Sequence, residues 1–261
     1  MGNPYGTFMS KMAPNHYQYK PGTIRKASRN GINYVLDISD IMAWYIYFGF
    51  FEKSKNTLFE LAESQHTVID VGANLGETTL NFAKRVGAQG KVYSFEPDPI
   101  NLETLRTNLF QNSFKNIVVN PIGLGAEPGK FKIKTIDESN KGMNRIVQDA
   151  DDGNYREIIV STIDHYIDEN NISKVDLIKI DVEGFEFNVL KGAQQCLKQF
   201  SPKLFIELDD NNLNEQQASA KELVTFLMAK NYEIKNAETD EMVDSGTIFT
   251  NCHFDIIATK K

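Results

Sequence analysis

Thr67-Val-Ile-Asp-Val-Gly-Ala-Asn-Leu-Gly-Glu77 and, one helix later, Lys91-Val-Tyr-Ser-Phe-Glu-Pro-Asp-Pro99 decide how this chain folds. The apolar run from Val68 to Val71, interrupted only by Asp70, predicts a short buried strand. Gly72 and Gly76 bracket a tight turn in which bare backbone can approach a ligand. Leu75, Leu80, Phe82, Ala83 and Val86 then line one face of a helix. A second strand, Lys91 to Phe95, ends in Glu96. Strand, glycine turn, helix, strand and terminal acid make half of a nucleotide-binding sheet, with the acid placed to accept hydrogen bonds from a ribose diol.

The spacing of the turn bears on which nucleotide it suits. A pyrophosphate wants Gly-x-Gly-x-x-Gly opening the helix. Here the spacing is Gly-x-x-x-Gly, with Asp70 two residues before the first glycine. A carboxylate there repels pyrophosphate and suits a cation. S-adenosylmethionine offers a ribose, an adenine, an ammonium and a sulfonium and no phosphate, so Asp70 and Glu96 favour it over NAD. A buried strand–turn–helix in some other α/β protein is the bland alternative.

Outward from this stretch the chain predicts one α/β domain with a small N-terminal extension. At 261 residues it has ample length for a core. Its 41% hydrophobic and 24% charged content is ordinary for a globular protein. A net charge of −7 argues against general affinity for nucleic acid or an anionic membrane. Cys196 and Cys252 form no metal-ligand pattern, and with no signal-like apolar start they suggest a reduced, cytoplasmic protein. The most apolar segment, Ile41 to Phe51, is about half the length of a membrane span.

Residues 1–30 read as a partly irregular arm, followed by a strand over 32–38. Ser39 is the expected N-cap of an aromatic helix with Trp44, Tyr45, Tyr47 and Phe48, expected to pack on the main sheet, with lining the acceptor pocket as the alternative. The extension is set at residues 1–51 and the main domain at 52–261. Helices are expected over 52–63, 98–112, 163–169, 185–199 and 213–230. Strands are expected over 116–120, 131–134, 157–160, 175–181, 203–209, 232–234 and 253–258. The polar connection 137–156, with its acidic run 149–152, reads as a flap over the acceptor.

In an open parallel sheet the ligand sits outside the carboxyl ends of the strands. Those ends carry Asp70, Glu96, Ile122, Asp181 with Glu183, and Glu207 with Asp209. So many acids need a cation to balance them. Asp70 and Glu96 are assigned to the donor, and Ile122 lies where an adenine would rest. Asp181 and Glu183, sharing one side of an extended backbone with Lys179, are the candidates for orienting or deprotonating an acceptor hydroxyl. Contact with the donor's methionine end and simple loop capping are their alternatives. Asp181, Glu207 and Asp209 meet the oxygen-ligand requirement of Mg²⁺, but no spacing rule supports a site and no metal ligand is assigned. His66 falls at the far end of the sheet. His253 falls on the ligand side, where a packing or surface role is the simpler expectation.

Val68 to Glu77, Val92 to Pro97, Gly123 to Gly129, and above all Leu177-Ile-Lys-Ile-Asp-Val-Glu-Gly184 followed by Val189-Leu-Lys-Gly192 resemble the FkbM family of S-adenosylmethionine-dependent methyltransferases. The resemblance covers roughly Val68 to Asp209. It implies the class I methyltransferase fold: a Rossmann-like, mostly parallel seven-stranded sheet with an antiparallel last strand and helices on both faces. It implies S-adenosylmethionine as donor, S-adenosylhomocysteine as product, and O-methylation of a glycan or natural-product hydroxyl. By this similarity Asp70, Gly72, Asn74, Gly76 and Glu96, with Pro97 beside it, would bind the donor. The implied partner is a small-molecule or glycan acceptor, without nucleic acid or membrane span; a homo-oligomer stays open. The rival readings are an NAD-dependent oxidoreductase, a nucleic-acid methyltransferase on the same fold, which lacks its Asn/Asp-Pro-Pro-aromatic motif here, and a non-catalytic binding module.

Overall fold

The computed structural model describes residues 13–50, 53–136, 140–147 and 155–261; the acidic run 149–152 and the boundary at 51/52 lie outside them. Asn30 and Gly31 both take positive φ, 51° and 73°, the pair that closes a two-residue hairpin. It joins β1 (Ile24–Arg29) to β2 (Ile32–Asp37) in antiparallel register. Residues 24–29 are therefore a strand where an irregular arm was expected. Along β2, Ile32, Tyr34 and Leu36 point inward. Helix α1 (Ile41–Phe48) is capped by Asp40, not Ser39: the Asp40 carboxylate accepts from the Met42 and Ala43 N–H groups. The Ser39 hydroxyl instead donates to Asp37. The aromatic helix packs on this hairpin rather than on the main sheet, in one apolar cluster with Leu75 and Leu80.

Helix α2 (Lys53–Leu61) leads into β3 (Thr67–Val71), α3 (Glu77–Val86), β4 (Lys91–Phe95), α4 (Pro99–Phe110) and β5 (Ile117–Asn120). β3, β4 and β5 pair in parallel. The hairpin is bound to α4 by polar contacts: the Val35 N–H donates to Asn108 and Asn112 donates to the Asn33 carbonyl.

A second sheet follows, built from β6 (Gly123–Leu124), β7 (Gly129–Lys134), β8 (Arg145–Val147) and β9 (Arg156–Ser161) in the order β6-β9-β7-β8. The expected long connection thus contains a strand, β8, paired to β7. After α5 (Ile163–Glu169) and β10 (Leu177–Ile180) come α6 (Glu186–Lys191) and α7 (Gln194–Gln199) in place of one helix. The break sits at Gly192, where an added Cβ would lie 2.0 Å from the Gly125 carbonyl oxygen. Asp164 supplies the second start, accepting from the Gln195 and Cys196 N–H groups. After β11 (Lys203–Asp209) the expected long helix is likewise two, α8 (Asp210–Glu215) capped by Asp209 and α9 (Ala220–Ala229) capped by Ser219. The chain closes with β12 (Tyr232–Asn236) and β13 (His253–Lys260).

The main sheet has the order β5-β4-β3-β10-β11-β13-β12, with β13 antiparallel to both neighbours. This is the mostly parallel seven-stranded α/β arrangement that the resemblance implies. Apolar residues of β3, β10, β11 and β13 and of α5 to α9 form the largest core cluster. The carboxyl ends of β3, β4, β10 and β11 and the start of β13 therefore meet along one rim. No helix among the described residues is long and apolar enough to cross a membrane.

Candidate active site

The glycine turn after β3 is shaped by protein neighbours. Gly72 has φ +78°, and a Cβ there would fall 1.9 Å from the Asp181 carbonyl oxygen. Gly76 has φ +95°, and its Cβ would fall 2.5 Å from Leu105 Cδ1. Both glycines answer to neighbouring chain, a demand the spacing alone did not reveal. Between them Asn74 turns through φ +49° and donates its backbone N–H to Glu96 Oε2 at 2.7 Å. Gly142, from the segment before β8, comes close above this turn: a Cβ on it would lie 2.9 Å from Asn74 Nδ2 and 3.7 Å from Met42 Cγ.

Asp70 is fully buried beneath the turn. Its Oδ2 accepts from the Thr78 and Thr79 hydroxyls at 2.7 and 2.6 Å, which pins β3 to the first turn of α3. Its Oδ1 has no hydrogen bond and faces Lys179 Nζ at 3.6 Å. Glu96 sits at the end of β4 with its other oxygen accepting the Asp98 N–H at 3.0 Å. Burial pushes the Glu96 carboxyl up to about 7, and Asp98 adds to the rise, against the two backbone N–H groups and Lys179. A side chain at Gly123 would touch Pro97, and Ile122 packs half-buried on the main core.

At the end of β10 the acids gather. Lys179 is buried; its ammonium donates to the Gly72 and Val71 carbonyls at 2.7 and 3.2 Å and lies 3.3 Å from Asp181. Burial opposes that charge, but Asp181 and Asp70 outweigh it and hold the lysine above its ordinary value. Asp181 is 45% exposed, the most open of the group. Glu183 takes φ +53°, so the extended spacing expected from Lys179 onward ends at Ile180. The turn nevertheless brings carboxylate oxygens of Asp181, Glu183 and Glu207 within 4.8 Å of one another. Glu183 accepts from Asn212 Nδ2 at 3.0 Å. Burial first, then Asp181 and Glu186, push its carboxyl up to about 8. Burial and the same neighbours also push Glu207 well up.

Asp209 is not part of this triad. It caps α8 with one oxygen and meets His253 Nδ1 with the other at 2.8 Å. The oxygen set expected for Mg²⁺ therefore differs in one member: Glu183, and not Asp209, comes together with Asp181 and Glu207. His253 is exposed at the surface, yet it bridges Asp209 and Glu207, the latter at 3.4 Å.

Sequence reasoning missed Glu186, Arg145 and Arg156. Glu186 Oε1 accepts from the Val182 and Gly184 N–H groups and closes the turn that carries Glu183; the acid three residues past Glu183 was a visible signal. Arg145 on β8 ion-pairs with Glu215 at 2.7 Å and approaches Glu183 at 4.0 Å. Arg156 on β9 donates to Asp98. Neither arginine could be placed without β8 and β9 in register with β7.

The sequence profile described as the Methyltransferase FkbM domain matches residues 70–234, well over half of the chain. The chain belongs to the FkbM methyltransferase family. The FkbM match begins at Asp70 and takes in Glu96, Asp181, Glu183 and Glu207, while the β1–β2 hairpin and α1 lie before it. Among relatives, Methyltransferase 1 of Beauveria bassiana is 26% identical over 163 residues, spanning 55% of this chain and 65% of the fungal protein. Hexuronic acid methyltransferase AglP of Haloferax volcanii is 25% identical over 143 residues, 54% of this chain and 55% of the archaeal one. The FkbM chain thus spans less than two thirds of either relative. The crystal structure of methyltransferase FkbM from Methylobacillus flagellatus KT aligns over 75% of this chain and 43% of its own, with 22% identity and a TM-score of 0.47.

Proposed function

We propose that this chain transfers a methyl group from S-adenosylmethionine to a hydroxyl of a sugar, a surface glycan or a natural product. The observation that carries this is Glu96. Each of its carboxylate oxygens accepts one backbone N–H, from Asn74 and from Asp98, and each keeps a lone pair for a ribose hydroxyl. The rim beside it fits the rest of such a donor. Asp181, Glu183 and Glu207 crowd together at the next strand ends; burial first, then their mutual negative charge, pushes Glu183 and Glu207 up, and a positive partner would relieve the second of these. A pyrophosphate would add to that repulsion, which disfavours NAD.

When bound, S-adenosylmethionine supplies an electrophilic methyl group on a positively charged sulfur. The chain's own residues do the rest. Glu96 orients the ribose, and Lys179 braces the turn and Asp181 from below. Asp181, the most exposed of the rim acids, and Glu183 flank the place where an acceptor hydroxyl would approach. With its carboxyl pushed up to about 8, Glu183 is suited to take up that proton at mildly basic pH, where it is ionised. Positioning supplies much of the acceleration. The segment around Gly142 and α1 close the opposite wall, so the extension up to residue 51 is proposed to choose the acceptor for the domain that follows. A sugar acceptor is in keeping with the Haloferax volcanii relative, named for hexuronic acid methylation. The free thiols of Cys196 and Cys252 suit a reducing compartment such as the cytoplasm.

Calorimetric titration with S-adenosylhomocysteine and with NADH tests the donor. Binding of the first alone supports the proposal, and binding of NADH alone overturns it. Incubation with methyl-labelled donor and an extract of host glycans and small molecules then tests the acceptor: label in a hydroxyl-derived methyl ether is the expected product, and label on nitrogen would overturn O-methylation.

A further inference from the structure

Arg156 stands at the start of β9, an inner strand of the second sheet, and is the last residue of the expected flap. Its guanidinium reaches out of that sheet to the main one. Nε donates to Asp98 Oδ2 at 2.8 Å, and Nη2 donates to the same oxygen and to the Thr135 hydroxyl. Asp98 is fully buried, with its other oxygen accepting from the Ile100 and Asn101 N–H groups at the start of α4. Its own N–H goes to Glu96 Oε1. A continuous path of charge-assisted hydrogen bonds therefore runs from β9 through Asp98 to the carboxylate at the end of β4.

We propose that Arg156 is a positioning residue for the donor ribose: by gripping Asp98 it fixes the backbone that presents Glu96 and cancels the negative charge two residues along from it. The inference rests on the donor reading above. A buried carboxylate such as Asp98 is tolerated when paired, and an unpaired one would act directly on its neighbour. The groups facing Glu96 are Asp98 on its own segment, Lys179 from β10 and the Asn74 N–H from the glycine turn. Lys179 is occupied by Asp70, Asp181 and two carbonyls, so Arg156 supplies the counter-charge to Asp98. With Arg156 neutralised, Asp98 discourages ionisation of Glu96, and the protonated acid loses acceptor capacity toward the ribose.

The test is S-adenosylhomocysteine affinity by calorimetry from pH 6 to 9 on the full chain, with circular dichroism of each variant confirming its fold. In the wild type, affinity falls as pH drops through the Glu96 transition near 7. Arg156→Gln is expected to move that midpoint upward by about one pH unit, making binding about fivefold weaker at pH 7, about tenfold weaker at pH 6 and nearly wild-type at pH 9. Arg156→Lys, which keeps the charge, is expected to leave the midpoint in place. Asp98→Asn, which can still cap α4, is expected to move it downward, and it carries the test if Arg156→Gln fails to fold. Weakening of Arg156→Gln by the same factor at every pH overturns the proposal in favour of a merely structural role. So does an unmoved midpoint in both Arg156→Gln and Asp98→Asn. A wild-type protein that binds no S-adenosylhomocysteine at any pH fails the donor reading itself, and the inference falls with it.

Discussion

Glu96 is both a structural acceptor and the proposed ribose ligand. Its two backbone hydrogen bonds hold the glycine turn and the start of α4 together. Glu96→Ala should therefore weaken S-adenosylhomocysteine binding by about 2–4 kcal/mol, the scale of two charge-assisted hydrogen bonds. Calorimetry checks this, and wild-type affinity in the variant would remove Glu96 from the ribose site. Gly72→Ala acts differently. The new Cβ would meet the Asp181 carbonyl oxygen at 1.9 Å from a positive φ, so backbone must shift at a cost of at least about 3 kcal/mol. A thermal melt should show the loss with no ligand present. The positions of Gly72, Asp70 and Glu96 were legible because their spacing is local. What presses on them was not: Asp181 meets Gly72 across more than a hundred residues, and Asp70 turned out to face two threonines and Lys179.

Element by element, legibility followed how local the determinant is. β3, β4, β11 and α5 announced themselves as apolar runs with turn residues at their ends. The hairpin was equally announced by Asn30-Gly31, but the polar, mostly exposed faces of β1 hid it. The splits between α6 and α7 and between α8 and α9 have mixed origins. Ser219 is a recognisable cap, whereas Gly192 breaks its helix because the Gly125 carbonyl needs the space. The cap of α1 moved by one residue because Ser39 was taken by Asp37. Asp40→Ala should thus cost about 1 kcal/mol, and Ser39→Ala much less. The two melting temperatures, compared side by side, check the order.

Across the whole molecule, the buried acids set a pH dependence. Glu96 and Glu186 are pushed up to about 7, and Glu183 and Glu207 are raised as well, by burial first. In the unfolded chain each titrates near 4.5. Between those limits the folded state binds more protons than the unfolded one, so these groups make stability fall as pH rises. Lys179, raised rather than lowered, stays charged throughout this window. The ligand-free protein should melt several degrees lower at pH 8 than at pH 5.5. S-adenosylmethionine, with one more positive charge than S-adenosylhomocysteine, should narrow that gap more; scanning calorimetry at the two pH values checks both. An opposite slope in the ligand-free protein would mean that the rim acids are more solvated than their contacts imply.

The touching of Gly72 and the Asp181 carbonyl has a mechanical corollary. Because no slack separates them, the loop after β3 cannot retreat toward β10 to admit a guest. Any widening has to come from across the cleft, where Gly142 hangs over Asn74 and α1. One jaw is thus welded to the central sheet, and the other faces it through Gly142, which lies close to the side chains of Asn74 and Met42.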